Sequence, residues 1–175
     1  MVKLNKKGYL AVEVILASVV AVSIAVFLID LTVKMVNKTN DNYTNTLFLT
    51  DKALITNNLR KEIKQDIIQN GKSNINNIGE IEKATLIDDY TCELKFKNSN
   101  VTSNININST KDTITYSSEY SGYSKTINKD IKYSSIYIDK CGVENNYLII
   151  KINFEDIFTT TNNRDIEIVL YNSTK

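Results

Sequence analysis

The sequence predicts an α+β fold in which a long N-terminal helix, apolar in its first half and amphipathic in its second, packs on a C-terminal antiparallel β-sheet. Three patterns predict it. An apolar run extends from Tyr9 to Ile29. Leu47, Leu54, Ile55, Leu59, Ile63 and Ile67 then recur at largely three-, four- and seven-residue spacing, the period of a helix face. From about Ile81 the apolar period falls to two, the mark of half-buried strands.

The first element is set by charge and length. Lys3, Lys6 and Lys7 precede the apolar run without an acid among them, the charge order of an export signal. The run makes a helix of about 31 Å, close to the roughly 30 Å hydrocarbon core of a bilayer. Apolar sequence continues past the small residues around Val19 and Ala25, which disfavours ordinary signal-peptide cleavage. The lysines place the N-terminus in the cytoplasm and the C-terminal domain outside.

Residues 33–46 carry Asn37, Asn40, Asn42 and Asn45, poor helix formers, and predict a looser stretch without a hard break. The second helical half follows, with Lys52, Arg60, Lys61, Glu62, Lys64 and Asp66 mostly off the apolar stripe and Gly71 as its expected stop. Strands are expected at 84–88, around Cys92, Leu94 and Phe96, and at 101–108, 113–117, 123–127, 135–139, 148–154 and 166–170. A single meandering sheet laid over Leu54, Leu59, Ile63 and Ile67 is the expected domain, because a one-faced sheet needs a second layer.

Composition narrows the chemistry. The 175 residues include no His, which excludes Ser-His-Asp and Cys-His nucleophiles and His-bearing zinc sites, so an enzyme is not expected. A net charge of +1 supplies no field for nucleic acid, and no direct nucleic-acid partner is expected. The abundance of Asn, Ile and Lys reads as codon bias.

Glu13 is the exception inside the apolar run. A carboxylate in a membrane helix costs about 2.5 kcal/mol or more on insertion scales and is functional by default, the alternative being an acid tolerated near the helix end. The ordered string Lys6-Lys7-Gly8-Tyr9-Leu10-Ala11-Val12-Glu13 resembles the N-terminus of type IV prepilins over roughly residues 6–31. The resemblance implies cleavage between Gly8 and Tyr9 by a prepilin peptidase, N-methylation of Tyr9, and assembly of the retained helix into a pilus or pseudopilus with Glu13 as the assembly residue. It implies as partners other pilin or pseudopilin subunits, the peptidase, an inner-membrane assembly platform and membrane lipid. No cofactor is implied. Two departures stand out: Tyr9 replaces the commoner Phe, and Asp30 lies about where many pilins carry a helix-kinking proline. The strand series with Ile114-Thr115-Tyr116, Gly122, 123–127, Tyr137-Ile138, 148–154 and 164–170 looks like that of J-type minor pseudopilins and their competence-system relatives.

The resulting division is a leader at 1–8, a membrane or filament-core helix at 9–31, an exposed amphipathic helix at 32–72 and a β-domain at 73–175. Within it the expected function is that of a minor pilin or pseudopilin, first held as a single-pass membrane protein and then carried in a surface filament. The alternative is a membrane-anchored extracellular binding domain that never polymerises. Removing Lys3, Lys6 and Lys7 turns the charge slightly acidic, which weakens a DNA-receptor role.

Other candidates are local. Cys92 and Cys141 can form a disulfide outside the membrane or pack as two small apolar side chains. Asp88, Asp89 and Glu93 form an acidic cluster without the alternating ligands and central Gly of a calcium loop, and read as a solvated turn; no metal site is expected. Tyr116, Tyr120, Tyr123, Tyr133 and Tyr137 crowd one region, either as a stacking surface or as ordinary strand residues. The Asn-x-Ser/Thr triplets at Asn37, Asn42, Asn100, Asn108 and Asn172 are expected by chance in such a composition.

Overall fold

The computed structural model describes residues 6–73, 79–108, 113–119, 122–128, 135–155 and 164–173. The chain forms two compact units, Met1–Thr46 and Leu47–Lys175.

The first unit is helical throughout its described residues, as the opening part of α1 (Lys6–Ser73). The looser stretch expected at 33–46 is absent, and the helix runs through it. Its threonines are accommodated locally: the Thr39, Thr44 and Thr46 hydroxyls donate to the carbonyls of Met35, Asn40 and Asn42 at 2.8–2.9 Å. Lys34 also pairs with Asp30 one turn back, at 2.8 Å. Such bonds occupy polar side chains on the helix's own backbone instead of opening it.

The second unit joins the rest of α1 to eight antiparallel strands: β1 (Ile81–Asp88), β2 (Thr91–Phe96), β3 (Thr102–Asn108), β4 (Thr113–Ser118), β5 (Tyr123–Asn128), β6 (Ser135–Glu144), β7 (Tyr147–Glu155) and β8 (Arg164–Tyr171). All eight expected strands are present. They form two meandering sheets, in orders β1-β2-β3-β4-β5 and β6-β7-β8, where one sheet was expected. Adjacent strands rotate by about 20–25° on average, so eight in one sheet would twist away from a single helix stripe. Splitting the meander keeps two inner faces over the same helix. The β6–β7 hairpin turns through Asn145 and Asn146, both at positive φ (50° and 66°), as a two-residue type I′ loop requires.

The core lies among Ile55, Leu59, Ile63 and Ile67 of α1 and the inward residues of both sheets, including Cys92, Leu94, Phe96, Ile105, Ile138, Ile150, Phe154 and Ile168. Leu54 is not part of it, being 42% exposed. The buried row steps by four residues from Ile55, and Leu54 sits about 100° around the wheel from it. Phe48 joins the edge of the core, its ring 6.0 Å from that of Phe154 and beneath the Arg164 guanidinium at 5.3 Å.

Gly71 does not end the helix, which continues to Ser73. The glycine that permits a close approach here is Gly79, on which a Cβ would lie 1.8 Å from the Ile67 carbonyl oxygen and 2.8 Å from the Gly71 nitrogen. The returning chain therefore crosses directly over the last turns of α1.

Among the described residues, two hydrogen-bonded contacts and a disulfide join the two sheets. The Ile138 N–H donates to the Asp89 carbonyl at 2.7 Å. Asn172, just past β8, accepts from the Ile81 N–H at 2.6 Å and donates its amide to the Ile81 carbonyl at 2.8 Å. Its side chain thus pairs with the start of β1 as a neighbouring strand would. The third is the disulfide described below.

Candidate functional site

The sequence places its functional signal at the start of α1. Gly8 and Tyr9 lie in the helix backbone, and residues 1–5 of the expected leader fall outside the described residues. From Leu10 to Ile29 every residue is exposed, Leu10, Val14, Val22 and Ile29 each by more than 60%. An apolar segment of this kind is stable in water only when lipid or other helices cover it. The helix is long and apolar enough to cross a membrane, with a mean hydropathy of 2.7 in its most apolar window.

The polar side chains of this segment divide into two kinds. Ser18 and Ser23 donate to the carbonyls of Ile15 and Val19 at 2.7 and 2.9 Å, so their hydroxyls ask nothing of their surroundings. Glu13 is exposed and makes no ion pair or hydrogen bond among the described residues. Its carboxylate is the one group of the apolar segment that calls for a partner from outside.

In the second unit Cys92 of β2 and Cys141 of β6 are joined, with Cα atoms 6.0 Å apart and a sequence separation of 49. The pair therefore crosslinks the two sheets, and Cys92 also lies in the core. Of the two sequence readings the structure has the bridge, and Cys92 is buried as part of it.

Sequence reasoning missed Asp66. Its spacing puts it off the apolar stripe, yet it is 4% exposed and faces the first sheet. Its carboxylate accepts from the Ser103 hydroxyl at 2.7 Å, the Tyr116 phenol at 2.5 Å and the Ser118 hydroxyl at 2.7 Å. Burial, and then the adjacent Asp66 charge, push the Tyr116 phenol well above its ordinary range. A shallow depression above it is lined by Glu62, Gln65, Ile68, Gln69, Lys72 and Ser118. The acid at its floor is already satisfied, so the arrangement is a lock between helix and sheet.

The remaining candidates separate. Asp88 accepts the Tyr90 N–H at 2.8 Å and so closes the β1–β2 turn. No cluster of three potential metal ligands occurs among the described residues. Tyr116 points into the core and Tyr137 is half-buried on the other sheet. Tyr120, Tyr133 and the Tyr123 side chain lie outside the described residues, so the tyrosines described do not form one surface.

Comparisons with protein-family models, with curated proteins and with solved structures found no match.

Proposed function

We propose that the chain is a prepilin-type subunit, cut after Gly8 and carried by its N-terminal helix from the membrane into a pilus or pseudopilus as a minor component. The observation that supports this reading most is Glu13. It is the one carboxylate in an otherwise apolar, wholly exposed helical segment, set at a fixed distance behind the basic-Gly-Tyr string at residues 6–9. In lipid a lone carboxylate is unfavourable. In a filament of like helices, Glu13 of one subunit and the new amino group of Tyr9 on another offset each other's desolvation and fix axial register. The α+β domain would then face water and make the contacts with neighbouring subunits. The cut and the methylation are the peptidase's chemistry, and no step of this role needs the subunit to catalyse a reaction, so the protein is read as a non-enzyme.

The test is processing. Expressed with a prepilin peptidase, the chain loses its first eight residues and gains a methyl group on Tyr9; expressed without it, the full chain persists in the membrane. Mass spectrometry of the N-terminal peptide distinguishes the two. An unprocessed chain in both strains returns the protein to the anchored, non-polymerising alternative.

A further inference from the structure

Two acids one turn apart on α1, Glu62 and Asp66, lie beside β4, and only one of them is satisfied. Asp66 takes three hydroxyl donors. Glu62 is 8% exposed, yet it makes no hydrogen bond or ion pair among the described residues. It lines the depression beside Ser118, which has a volume of about 540 Å³. Gln65 and Gln69 border the same depression with amides that also lack partners among the described residues. Lys72 stands at its far end, about 15 Å along the helix from Glu62, and forms no ion pair with it. A carboxylate withdrawn this far from water is costly without a cation. The group that fits a carboxylate with amide oxygens on either side is a guanidinium, planar and with donors on more than one edge.

The chain has two arginines, Arg60 and Arg164. Arg164 is held over the Phe48 ring. Arg60 is exposed and makes no hydrogen bond or ion pair among the described residues. It precedes Glu62 by two residues, which places it about 3 Å away along the helix axis and about 160° around it. The buried row of Ile55, Leu59, Ile63 and Ile67 occupies the arc between them. Arg60 and Glu62 thus border the buried face on opposite flanks at nearly one height, and neither can reach the other within one chain.

From this we infer that the Glu62 depression receives the Arg60 guanidinium of a second copy of the chain. Two copies whose α1 helices lie side by side and parallel bring the Arg60 flank of one against the Glu62 flank of the next. Copies held in a membrane by the same apolar segment share that orientation. The contact is head-to-tail: each pair leaves one free Arg60 and one free Glu62 at its ends, so it extends into a row or closes into a ring instead of stopping at a two-fold dimer. It needs a second copy and no filament, so its failure and that of the processing test are separate results.

The experiment uses the full chain in zwitterionic detergent, followed by analytical ultracentrifugation. The parent is expected to associate reversibly beyond a dimer as concentration rises. Glu62→Gln and Arg60→Ala, taken singly, should each weaken association at least about tenfold, the scale of a lost charge pair, without lowering the melting temperature. Lys64→Ala should leave association unchanged. An equimolar mixture of the Glu62 and Arg60 variants should recover a dimer and go no further, because one cation and one acid remain on opposite copies. Arg60→Lys adds a direct reading: a carbodiimide should couple the introduced ammonium to Glu62, and mixing copies of two isotopic compositions shows the link to be between chains. A parent that stays monomeric up to about 1 mM, association undiminished in either single variant, no recovery in the mixture, or coupling of Glu62 across copies to Lys61 or Lys64 in place of residue 60 would each overturn the inference.

Discussion

The carboxylate of Asp66 on the helix and the phenol of Tyr116 on β4 meet at 2.5 Å inside the core, 50 residues apart in sequence. An acid is costly to bury alone, and here Ser103 and Ser118 complete its hydrogen bonding. The contact fixes how α1 sits on the first sheet in a way that aliphatic packing cannot, since hydrogen bonds are directional and apolar burial is not. Asp66→Ala should therefore cost about 3–5 kcal/mol, because three buried hydroxyls lose their acceptor at once. Tyr116→Phe should cost less, about 1.5–3 kcal/mol, the worth of one hydrogen bond to a charged group. Urea unfolding followed by circular dichroism checks both, and equal losses for the two variants would contradict the shared-acceptor account.

The same contact predicts an alkaline limit. The Tyr116 phenol is held above its ordinary range in the folded state, so the folded protein keeps a proton that the unfolded chain releases. Its contribution is fully present below the unfolded pKa of about 10 and is lost as pH rises further. Melting temperatures measured from neutral to strongly alkaline pH should fall above about pH 10, more steeply for the parent than for Tyr116→Phe. Parallel slopes would rule Tyr116 out as the source.

Cys141→Ala should destabilise the domain by about 4 kcal/mol in the chain-entropy model, given a closed loop of about 50 residues. The loss should match that produced by reductant on the parent. Mass spectrometry of the oxidised protein should place Cys92 and Cys141 in one linked peptide. Two free thiols under oxidising conditions would remove the crosslink between the sheets.

Gly79→Ala introduces a carbon 1.8 Å from the Ile67 backbone oxygen, and neither backbone segment is free to swing aside as a side chain would. The expected loss is about 3 kcal/mol or more, at the upper end of overpacking costs. Thermal unfolding reads it directly, and a variant as stable as the parent would show that the crossing over α1 is looser than described.

Glu13→Val tests the proposed filament role separately from stability. Membrane insertion and removal of the leader should persist, since the substitution makes the helix more apolar. The fraction recovered in a sheared filament pellet, or bound to partner pilins, should fall, as loss of one member of a buried charge pair typically costs about 3–5 kcal/mol. Recovery equal to the parent's would make Glu13 a tolerated acid and the register argument void.

What the sequence made legible follows from the range over which each feature is determined. The strand alternation of Leu148 to Phe154 and the helical spacing of Ile55 to Ile67 are local, and both elements could be located from a dozen residues. Asp66 could not be read that way, because beside Ile67 on a charged helix it has the look of a solvated acid. Only Ser103, Tyr116 and Ser118, brought back by two strands, make it a core residue. The division into two sheets was hidden for the same reason, since it depends on where β6 meets β1. Gly71 misled in the opposite sense: a glycine there reads as a helix end, yet the helix runs two residues further, to Ser73. Of the candidate site, Glu13 and the cysteines were legible as residues, because a carboxylate in an apolar run and a lone thiol pair stand out against any background.

The Asn172 clasp on Ile81 carries a consequence for the order in which the domain matures. Each strand within a sheet pairs with its immediate predecessor, so both meanders can zip up progressively as the polypeptide emerges, with little chain to wait for. The clasp spans 91 residues and engages the segment just past β8. Until that segment is delivered, the first sheet lacks this partner at Ile81, and a polypeptide stalled before Asn172 is left with a more open strand edge there, prone to pairing with its neighbours.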